Sequence, residues 1–441
     1  MNRGVVAAGD PVTAQAGATL LRAGANAVDA CIAAAMTSFV AEPLLASAGG
    51  AGVAICGSAN DGYEVHDFFT IAPGKGLTTR PDLDFHPITI DFGPASQEFQ
   101  VGRGAAAVPT ILFGLLELHR RRGKADLSDV LAPAIAAARD GVVFTPSIRF
   151  VVKMLRPIVS VSPQVEALLS ANGMVGGATD GTAARDGAPV ANRALAAFLE
   201  QLSRDGESLL RGAFTDAVVN QFGPSQGGLL TRDDLETFRP TVRRPLSVPF
   251  GDFTLLTNPP PSSGGALVGI GLRAAVAGQL GRHPFLSPEH VVELAQVLKT
   301  VSVARRTEID ERVAKAVAGN AANSGNSGVF SDVFGDVFSD DDIRRWRATA
   351  DGEGEERNLG GTTHISVLDA DGQAAAMTLT NGEGCGHALD GMGVHINNFL
   401  GEEDINPGGF HKLSAGARMP TMMAPSIVLK NGRPALVAGS G

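Results

Sequence analysis

The sequence predicts a globular protein with a mixed α and β fold, and three observations indicate it. Hydrophobic residues make up 44% of the 441 residues and charged residues 19%, a balance typical of chains that bury a core. Residues 12–23 and 27–40 show helical patterning. Residues 363–367 instead alternate between apolar and polar side chains, as a half-buried strand does. By length the chain holds two or three domains or a single large core.

The predicted helices carry recognisable end signals. Gly24 stops the first helix, and Asn26 is placed to cap the second. The second helix is apolar nearly all round, which predicts that it is buried, and Glu42-Pro43 ends it. Further helices are predicted within residues 107–141, and another at 266–279 after a proline-rich turn.

Composition excludes several classes of function. The net charge of −10, with no basic cluster interleaved with aromatics, argues against a nucleic-acid partner. The glycine-rich turn at residues 47–52 leads into an apolar strand but lacks a nucleotide-binding fingerprint. Three cysteines without CxxC spacing and nine histidines without HxxxH or HxH spacing suggest neither a metal site nor a cofactor.

The chain shows no signal for a membrane partner. Its long uncharged stretches, such as residues 43–60, are broken by Gly and Ser and would make poor membrane helices. The N-terminus lacks a charged region followed by an apolar one, so we expect a cytoplasmic protein. A periplasmic or secreted location stays open.

The most informative position is Thr362, which follows Gly361 and begins the predicted strand. If the bond between the two residues is cut, Thr362 carries a nucleophilic hydroxyl and a free α-amine that serves as its base. A chain amine has a reference pKa of roughly 7.7–8.0, so it accepts protons near neutrality. The same residues are also typical of an ordinary β-branched strand start.

A hairpin is predicted to bring polar partners to this threonine. Asp369 to Gly372 form a turn sequence, and residues 374–381 read as the returning strand. The short turn places residue 379 or 380 opposite Thr362, so Thr380 and Asn381 are expected beside it. A threonine ladder on an exposed sheet face is the alternative interpretation.

The segment before Thr362 differs in composition from the rest of the chain. Asn, Ser, Gly and Asp dominate residues 317–361, which predicts a mobile connector ending at Gly361. A loose segment that runs into the Thr-Thr strand suits a self-cleaving junction, although ordinary interdomain linkers have the same composition.

Taken together, a series of motifs resembles the γ-glutamyltranspeptidase family of N-terminal-nucleophile hydrolases. They comprise residues 24–30, 42–43 with the following glycines, 107–109, 133–135, 259–265, 362–364, 397–398 and 425–428. The resemblance implies an α+β fold, specifically a four-layer αββα sandwich. It also implies a precursor cut before Thr362 into a large-subunit region, 1–361, and an incomplete small-subunit region, 362–441, which form a heterodimer.

The resemblance assigns roles to the hairpin residues. Thr362 would be the nucleophile in both self-cleavage and the substrate reaction, with Thr380 and Asn381 as supporting polar neighbours. The family usually places its Asn one residue further along. The implied reaction transfers the acyl group of a γ-glutamyl amide such as glutathione to water or to an acceptor amine.

The residues expected to bind substrate depart from the family pattern. Phe69 stands where the family has an Arg that grips the substrate α-carboxylate, and a phenyl ring cannot replace a guanidinium. Phe399 and Glu402 replace the Gln and Asp that hold the α-amine, and Thr421 and Met422 replace a serine pair. These departures leave open a related acylase for glutaryl or β-lactam acyl groups, or an uncleaved binding protein.

Two further expectations concern the active site. Arg103 or Arg418 could supply a displaced carboxylate clamp, although a structural role is the simpler interpretation for each. The family's oxyanion glycines follow the motif that matches Gly439-Ser440, so at most one of them, Gly441, is present. Since losing one oxyanion donor lowers turnover roughly 100- to 1000-fold, we expect the 441-residue chain to be inactive or nearly so.

Overall fold

The computed structural model describes residues 4–93, 96–169, 187–321, 338–350, 361–406 and 408–440, without the side chains of 318–321. These residues form helices and sheets in sequence order, as the mixed fold predicts. None of the helices in this part of the chain is both long and apolar enough to span a membrane.

A six-stranded antiparallel sheet carries the residues around Thr362. Its spatial order is β1-β9-β10-β2-β3-β6. The strands are β1 (Gly4–Ala8), β2 (Ala51–Ser58), β3 (Gly62–Phe68), β6 (Thr241–Arg243), β9 (Thr362–Asp369) and β10 (Ala374–Thr380). Strands β2 and β10 lie next to each other at the centre, and every residue of both is buried.

A second antiparallel sheet has four strands in the order β14-β13-β8-β7. They are β7 (Leu246–Phe250), β8 (Phe253–Thr257), β13 (Ser426–Lys430) and β14 (Arg433–Ala438). Two small pairs complete the strands: β4 (His86–Asp91) with β5 (Ser96–Val101), and β11 (Ala388–Leu389) with β12 (Val394–His395).

Fifteen α-helices are found within the described residues. They are α1 (Pro11–Ala23), α2 (Ala27–Ala41), α3 (Ile111–Arg122), α4 (Leu127–Asp140), α5 (Pro146–Met154), α6 (Arg156–Val159), α7 (Pro163–Leu168), α8 (Arg193–Asp205), α9 (Glu207–Leu209), α10 (Thr215–Phe222), α11 (Arg232–Thr237), α12 (Gly264–Ala277), α13 (Pro288–Ala304), α14 (Asp310–Ala321) and α15 (Asp340–Ala348).

Strands of the two sheets contact each other, and helices pack on strands of both sheets. Strand β14 contacts β9 and β10, while α2 packs on β9 and β10 from the helical side. Helices α1 and α4 pack on α2, and α12 packs on β7 and on α13. The core around α2 is rich in alanine, because close approach of a helix to its neighbours requires small side chains.

The predicted N-terminal helices are confirmed. Helix α1 ends at Gly24, whose φ of 92° is a left-handed conformation that favours glycine. Helix α2 is buried along its whole length and starts with a capping box, in which Asn26 and Asp29 exchange side-chain-to-backbone hydrogen bonds. The helices predicted within 107–141 and after the proline-rich turn are also present, as α3, α4 and α12.

The prediction of a mobile connector over residues 317–361 is wrong for the parts that the structure describes. Helix α14 continues to Ala321, and α15 is capped by Ser339. Trp346 of α15 is buried in the apolar cluster that includes residues of α12 and α13. The segment is therefore an amphipathic helix, although its acidic residues resemble those of a linker in composition. Residues 322–337 and 351–360 lie outside the described residues. Gly361 itself is buried rather than loose.

Candidate active site

The β9–β10 hairpin has the predicted register. Thr380 is paired with Thr362, Leu379 with Thr363 and Thr378 with His364. Thr362 is half-buried at the first position of β9, whereas Thr363 is only 2% exposed. The alternation therefore directs Thr362 and Thr363 to opposite faces of the sheet.

Thr380 is the polar neighbour that contacts the junction. Its hydroxyl donates to the carbonyl oxygen of Gly361 at 2.7 Å and accepts from the N–H of Gly382 at 2.9 Å. The second bond fixes the direction of the hydroxyl proton, because its acceptor lone pair is occupied by Gly382. The Thr380 hydroxyl thus polarises the carbonyl of the peptide bond between Gly361 and Thr362.

Glu383 contacts the same glycine from its other end. The Gly361 N–H donates to Oε1 of Glu383 at 2.7 Å. The Glu383 side chain is buried, and burial raises the pKa of its carboxyl to about 7 against the opposing effect of this hydrogen bond. The sequence interpretation did not identify Glu383; an acidic residue in the glycine-rich loop just after the returning strand was the available signal.

The opposite face of β9 is fixed by Glu42, at the end of α2. Its two carboxyl oxygens accept hydrogen bonds from Thr363 at 2.6 Å and from Thr13 at 2.7 Å. Burial raises the pKa of the Glu42 carboxyl, while these two hydrogen bonds lower it. Glu42 thereby links Thr363 to the end of α2 and to Thr13 of α1, and these bonds hold the first residues of β9 in place.

His364 supports the hairpin rather than facing the junction. Its Nδ1 lies 2.8 Å from the Thr378 hydroxyl and its Nε2 lies 3.0 Å from the Ser366 hydroxyl. Burial lowers the pKa of the imidazole to about 4, so the ring is neutral near pH 7. A Cβ on Gly439 would lie 2.3 Å from this ring, so the segment after β14 ends beside the hairpin. Gly441, the predicted oxyanion residue, lies outside the described residues.

Asn381 is buried next to Thr380, yet its side chain is not paired. Neither its Oδ1 nor its Nδ2 has a hydrogen-bond partner among the described residues. The predicted support of Thr362 by Asn381 therefore stays a prediction. Buried amide atoms of this kind are normally satisfied, so a polar ligand here would gain their hydrogen bonds.

Glu402 and Asn398 pack over Gly382. A Cβ at residue 382 would lie 1.8 Å from Oε1 of Glu402 and 2.2 Å from Oδ1 of Asn398, so only glycine fits there. Oε1 of Glu402 is buried without a partner among the described residues. Burial, and then the nearby Glu383 carboxyl, raise the pKa of Glu402 well above its ordinary value. The two glutamates thus form a coupled acidic pair beside the junction.

Phe69 and Phe399 lie together. Their ring centroids are 5.2 Å apart, and both side chains are buried, with 2% and 1% exposed. Met419 and Met423 belong to the same apolar cluster. The two phenylalanines that the sequence analysis expected at the substrate-binding positions therefore form one hydrophobic contact.

Neither arginine proposed as a displaced clamp points to the hairpin. Arg418 donates to Oδ1 of Asp67 at 2.9 Å and to the carbonyl oxygen of Phe69 at 3.0 Å. Arg103 pairs with Asp84 and donates to the carbonyl oxygen of Gln221. Both are engaged in structural contacts, which favours the simpler of the two sequence interpretations.

Thr421 and Met422 occupy a different position from Thr362. The Thr421 hydroxyl accepts from the N–H of Met423 at 3.1 Å, and its backbone bridges to Ser262. Met422 is 38% exposed, and both residues line a cleft of about 410 Å³. Thr362 is not among the described residues that line this cleft. The cleft therefore contains the predicted substrate-binding residues Thr421 and Met422 but not the predicted nucleophile.

One group of metal-ligand types occurs within the described residues, formed by Cys56, Glu64 and His66. Glu64 accepts from Arg122 at 2.7 Å and lies 2.8 Å from the His66 ring. Because the guanidinium already neutralises this carboxylate, the group is a salt-bridge network at the end of β2 away from Thr380.

The fold and this geometry define a class of protein. It has two β-sheets, and one strand of its hairpin begins with a threonine directly after a glycine whose N–H and C=O are both hydrogen-bonded. The family model for gamma-glutamyltranspeptidase matches residues 13–441, and the chain belongs to this family. Membership places it among hydrolases and transferases of the N-terminal-nucleophile type.

Curated relatives carry two kinds of name. The acylase ACY 1 proenzyme of Pseudomonas sp. (strain V22) is 28% identical, over 99% of this chain and 76% of its own length. The glutathione hydrolase proenzyme of Pseudomonas aeruginosa is 29% identical, over 100% of this chain and 77% of its own. Cephalosporin acylase from Bacillus halodurans has a similar structure, with a TM-score of 0.74, 22% identity, and coverage of 99% and 76% of the two chains.

Proposed function

We propose that the chain is a precursor that cuts itself between Gly361 and Thr362 and then acts as a threonine amidohydrolase or acyltransferase. The observation that carries this proposal is the 2.7 Å hydrogen bond from Thr380 to the Gly361 carbonyl, directly before the strand that begins with Thr362. The names of two relatives as proenzymes support it. The proposal includes the four-layer αββα arrangement and a heterodimer of residues 1–361 and 362–441.

Self-cleavage begins when the Thr362 hydroxyl oxygen attacks the Gly361 carbonyl carbon. A carbon–oxygen bond forms, the carbon–nitrogen bond breaks, and the hydroxyl proton passes to the departing nitrogen of Thr362. Thr380 donates to the oxygen on which negative charge develops. Water then hydrolyses the ester, which leaves a carboxyl group on Gly361 and restores the hydroxyl of Thr362.

The mature reaction repeats this chemistry on a substrate amide. The Thr362 α-amine accepts the hydroxyl proton while the oxygen attacks the substrate carbonyl, and the proton then passes to the leaving amine. Water or an acceptor amine then attacks the acyl carbon, the ester bond to the threonine oxygen breaks, and a proton from the attacking group restores the Thr362 hydroxyl. In this proposal Asn381, whose buried amide has no hydrogen-bond partner among the described residues, binds a polar part of the substrate.

The Phe69–Phe399 contact favours an acyl group that carries fewer charges than a γ-glutamyl group. A buried aromatic pair offers no hydrogen bond to a carboxylate or to an ammonium group, and leaving such a charge buried and unpaired costs about 2–5 kcal/mol. A glutaryl group keeps the carboxylate of a γ-glutamyl group but lacks its α-ammonium. Arg418 is largely buried in its contact with Asp67. An acylase for glutaryl or β-lactam-type amides is therefore the activity that these contacts support best, in keeping with the acylase names of two relatives.

A second candidate substrate is a γ-glutamyl amide such as glutathione. Glu402 supports it, since its unpartnered carboxyl oxygen beside Gly382 would pair with the substrate α-ammonium. The glutathione hydrolase names of relatives agree with this candidate. It requires the α-carboxylate to bind without the family's arginine.

Self-cleavage is tested with the purified protein on a denaturing gel, followed by N-terminal sequencing. We expect a fragment beginning Thr-Thr-His, and a single uncut band for Thr362→Ala. Wild-type protein that stays uncut would remove the proposed chemistry and leave only the fold.

Donor specificity is tested by comparing kcat/KM for glutaryl-anilide and γ-glutamyl-anilide in the self-cleaved protein. We expect the glutaryl donor to be preferred, because it keeps the carboxylate but lacks the α-amine, and Phe399 stands where the resemblance places a Gln that holds this amine. A preference for the γ-glutamyl donor that is lost in Glu402→Gln would instead establish the second candidate.

A further inference from the structure

Residue Gly361 is held at both of its backbone polar atoms, which belong to the two peptide units on either side of its Cα. Thr380 donates to its carbonyl oxygen at 2.7 Å, and its N–H donates to Glu383 at 2.7 Å. Glycine has more backbone freedom than any other residue, so a single contact would leave the orientation of its carbonyl poorly fixed. Two contacts on opposite sides restrict it strongly, as a reacting carbonyl requires.

Glu383 is itself held by a rigid loop. The Oδ1 of Asn398 accepts the N–H of Glu383 at 2.9 Å and that of Gly384 at 3.2 Å. Gly382 and Gly384 have φ values of 58° and 83°, so both turns of the loop use backbone conformations that favour glycine. The loop therefore directs the carboxyl group at the junction independently of Gly361.

Among the described residues, the Glu383 side chain makes no hydrogen bond other than the one to Gly361. The side chain is 2% exposed and accepts the Gly361 N–H. Burying a carboxyl group for one backbone hydrogen bond destabilises the fold compared with a neutral side chain. Residues that weaken a fold in this way are typical of functional sites.

We propose that Glu383 is a positioning residue for self-cleavage. By accepting the Gly361 N–H it restricts the backbone of Gly361, so that the Gly361 carbonyl faces the Thr362 hydroxyl. This role rests on the proposed cleavage between those two residues. Glu383 takes part in no bond change: it accepts the Gly361 N–H throughout, and the proton and leaving nitrogen move as described above.

The protonation state of Glu383 supplies a readout. A carboxylate accepts an N–H more strongly than a neutral carboxyl does, so positioning improves as the group loses its proton around pH 7. Glu402 is the nearest acidic group, and Asp404 acts on Glu402. His395 packs on Gly384, and burial lowers its pKa to about 3, so the ring is neutral near pH 7. Glu42 contacts Thr363 on the opposite face of β9.

The test follows cleavage of full-length protein after short cell-free translation, at about pH 5.5 and about pH 8.5 on denaturing gels. Glu383→Gln is the main variant, because it keeps the shape and a neutral acceptor oxygen. We expect it to cleave like wild type at the lower pH and about tenfold more slowly at the higher pH. Glu383→Ala should be slower at both, and Glu98→Gln, which removes an exposed carboxylate, should match wild type.

Thermal unfolding separates positioning from a structural role. In the Thr362→Ala background, Glu383→Gln should raise Tm at the higher pH, because it removes a buried charge, while the same substitution slows cleavage in the active chain. Cleavage of both Glu383 variants at the wild-type rate at both pH values, or slower cleavage accompanied by a lower Tm, would overturn the inference alone. A wild type that never cleaves overturns the proposed function instead.

Discussion

The Thr380 hydroxyl lies 2.7 Å from the carbonyl oxygen of Gly361 and donates to it, which links the end of β10 to the residue just before β9. The register that pairs Thr380 with Thr362 produces this contact. A donor at this oxygen stabilises the charge that develops there during attack by Thr362.

Replacement of this donor gives the first prediction. Thr380→Val keeps the shape of the side chain and removes the hydroxyl, so self-cleavage should slow by about 100-fold or more. Gel time courses measure the rate. Thr380→Ser should retain most of it, and Thr378→Val, which removes a buried hydroxyl of the same strand that contacts His364, should cleave nearly as wild type. Equal slowing by the two valine variants would point to general damage to β10.

The aromatic pair gives a prediction about stability. Phe69→Ala and Phe399→Ala should each lower the free energy of unfolding by about 3–5 kcal/mol, since both rings are buried. A double-mutant cycle by chemical denaturation should show a coupling energy of about 0.5–1.5 kcal/mol. The partly exposed Phe250–Phe253 pair, with ring centroids 5.7 Å apart, is the control and should show smaller losses. Purely additive effects of Phe69 and Phe399 would contradict the packing described here.

Arg418 tests whether a displaced clamp exists. Its side chain is 13% exposed, and burial lowers the pKa of the guanidinium to about 10, so it stays charged at pH 7. Arg418→Met should destabilise the protein by about 1–3 kcal/mol, because its hydrogen bonds to Asp67 and to the Phe69 carbonyl are lost while Arg243 still pairs with Asp67. The exposed Arg344→Met should change stability by less than about 0.5 kcal/mol. An Arg418 variant with unchanged stability and a raised KM would instead identify the clamp.

His364 gives a prediction about pH. The unfolded imidazole binds a proton below about pH 6.5, whereas burial lowers the folded pKa to about 4. Its contribution to stability is therefore fully present above about pH 6.5 and is lost as the pH falls towards 4. The stability of wild type relative to His364→Gln should fall by roughly 3 kcal/mol over this range, as measured by denaturant unfolding. A difference that stays flat over this range would show that His364 is not buried in its neutral form.

Local patterns in the sequence predicted the hairpin and its register. Alternation along residues 363–367 and a short turn at Asp369 fix which residues face each other, because side chains alternate strictly along a strand. The ends of α1 and α2 were predictable for a similar reason, since capping depends on residues within one turn of the helix end.

The same reasoning failed for α15. Its acidic first turn resembles a linker by composition, but Ile343 and Trp346 fall on one face and are buried against α12 and α13. Whether such a short helix forms depends on the surface available for its apolar side, and that surface comes from other parts of the chain.

The sequence alone determined the family and the strand that begins with Thr362, because both depend on residue identity and nearby spacing. Only the tertiary structure decided that Phe69 meets Phe399, that Arg418 is used by Asp67, and that Glu383 holds Gly361. These contacts join residues distant in sequence or across a loop. Their energies depend on burial and on distances that the folded chain alone sets.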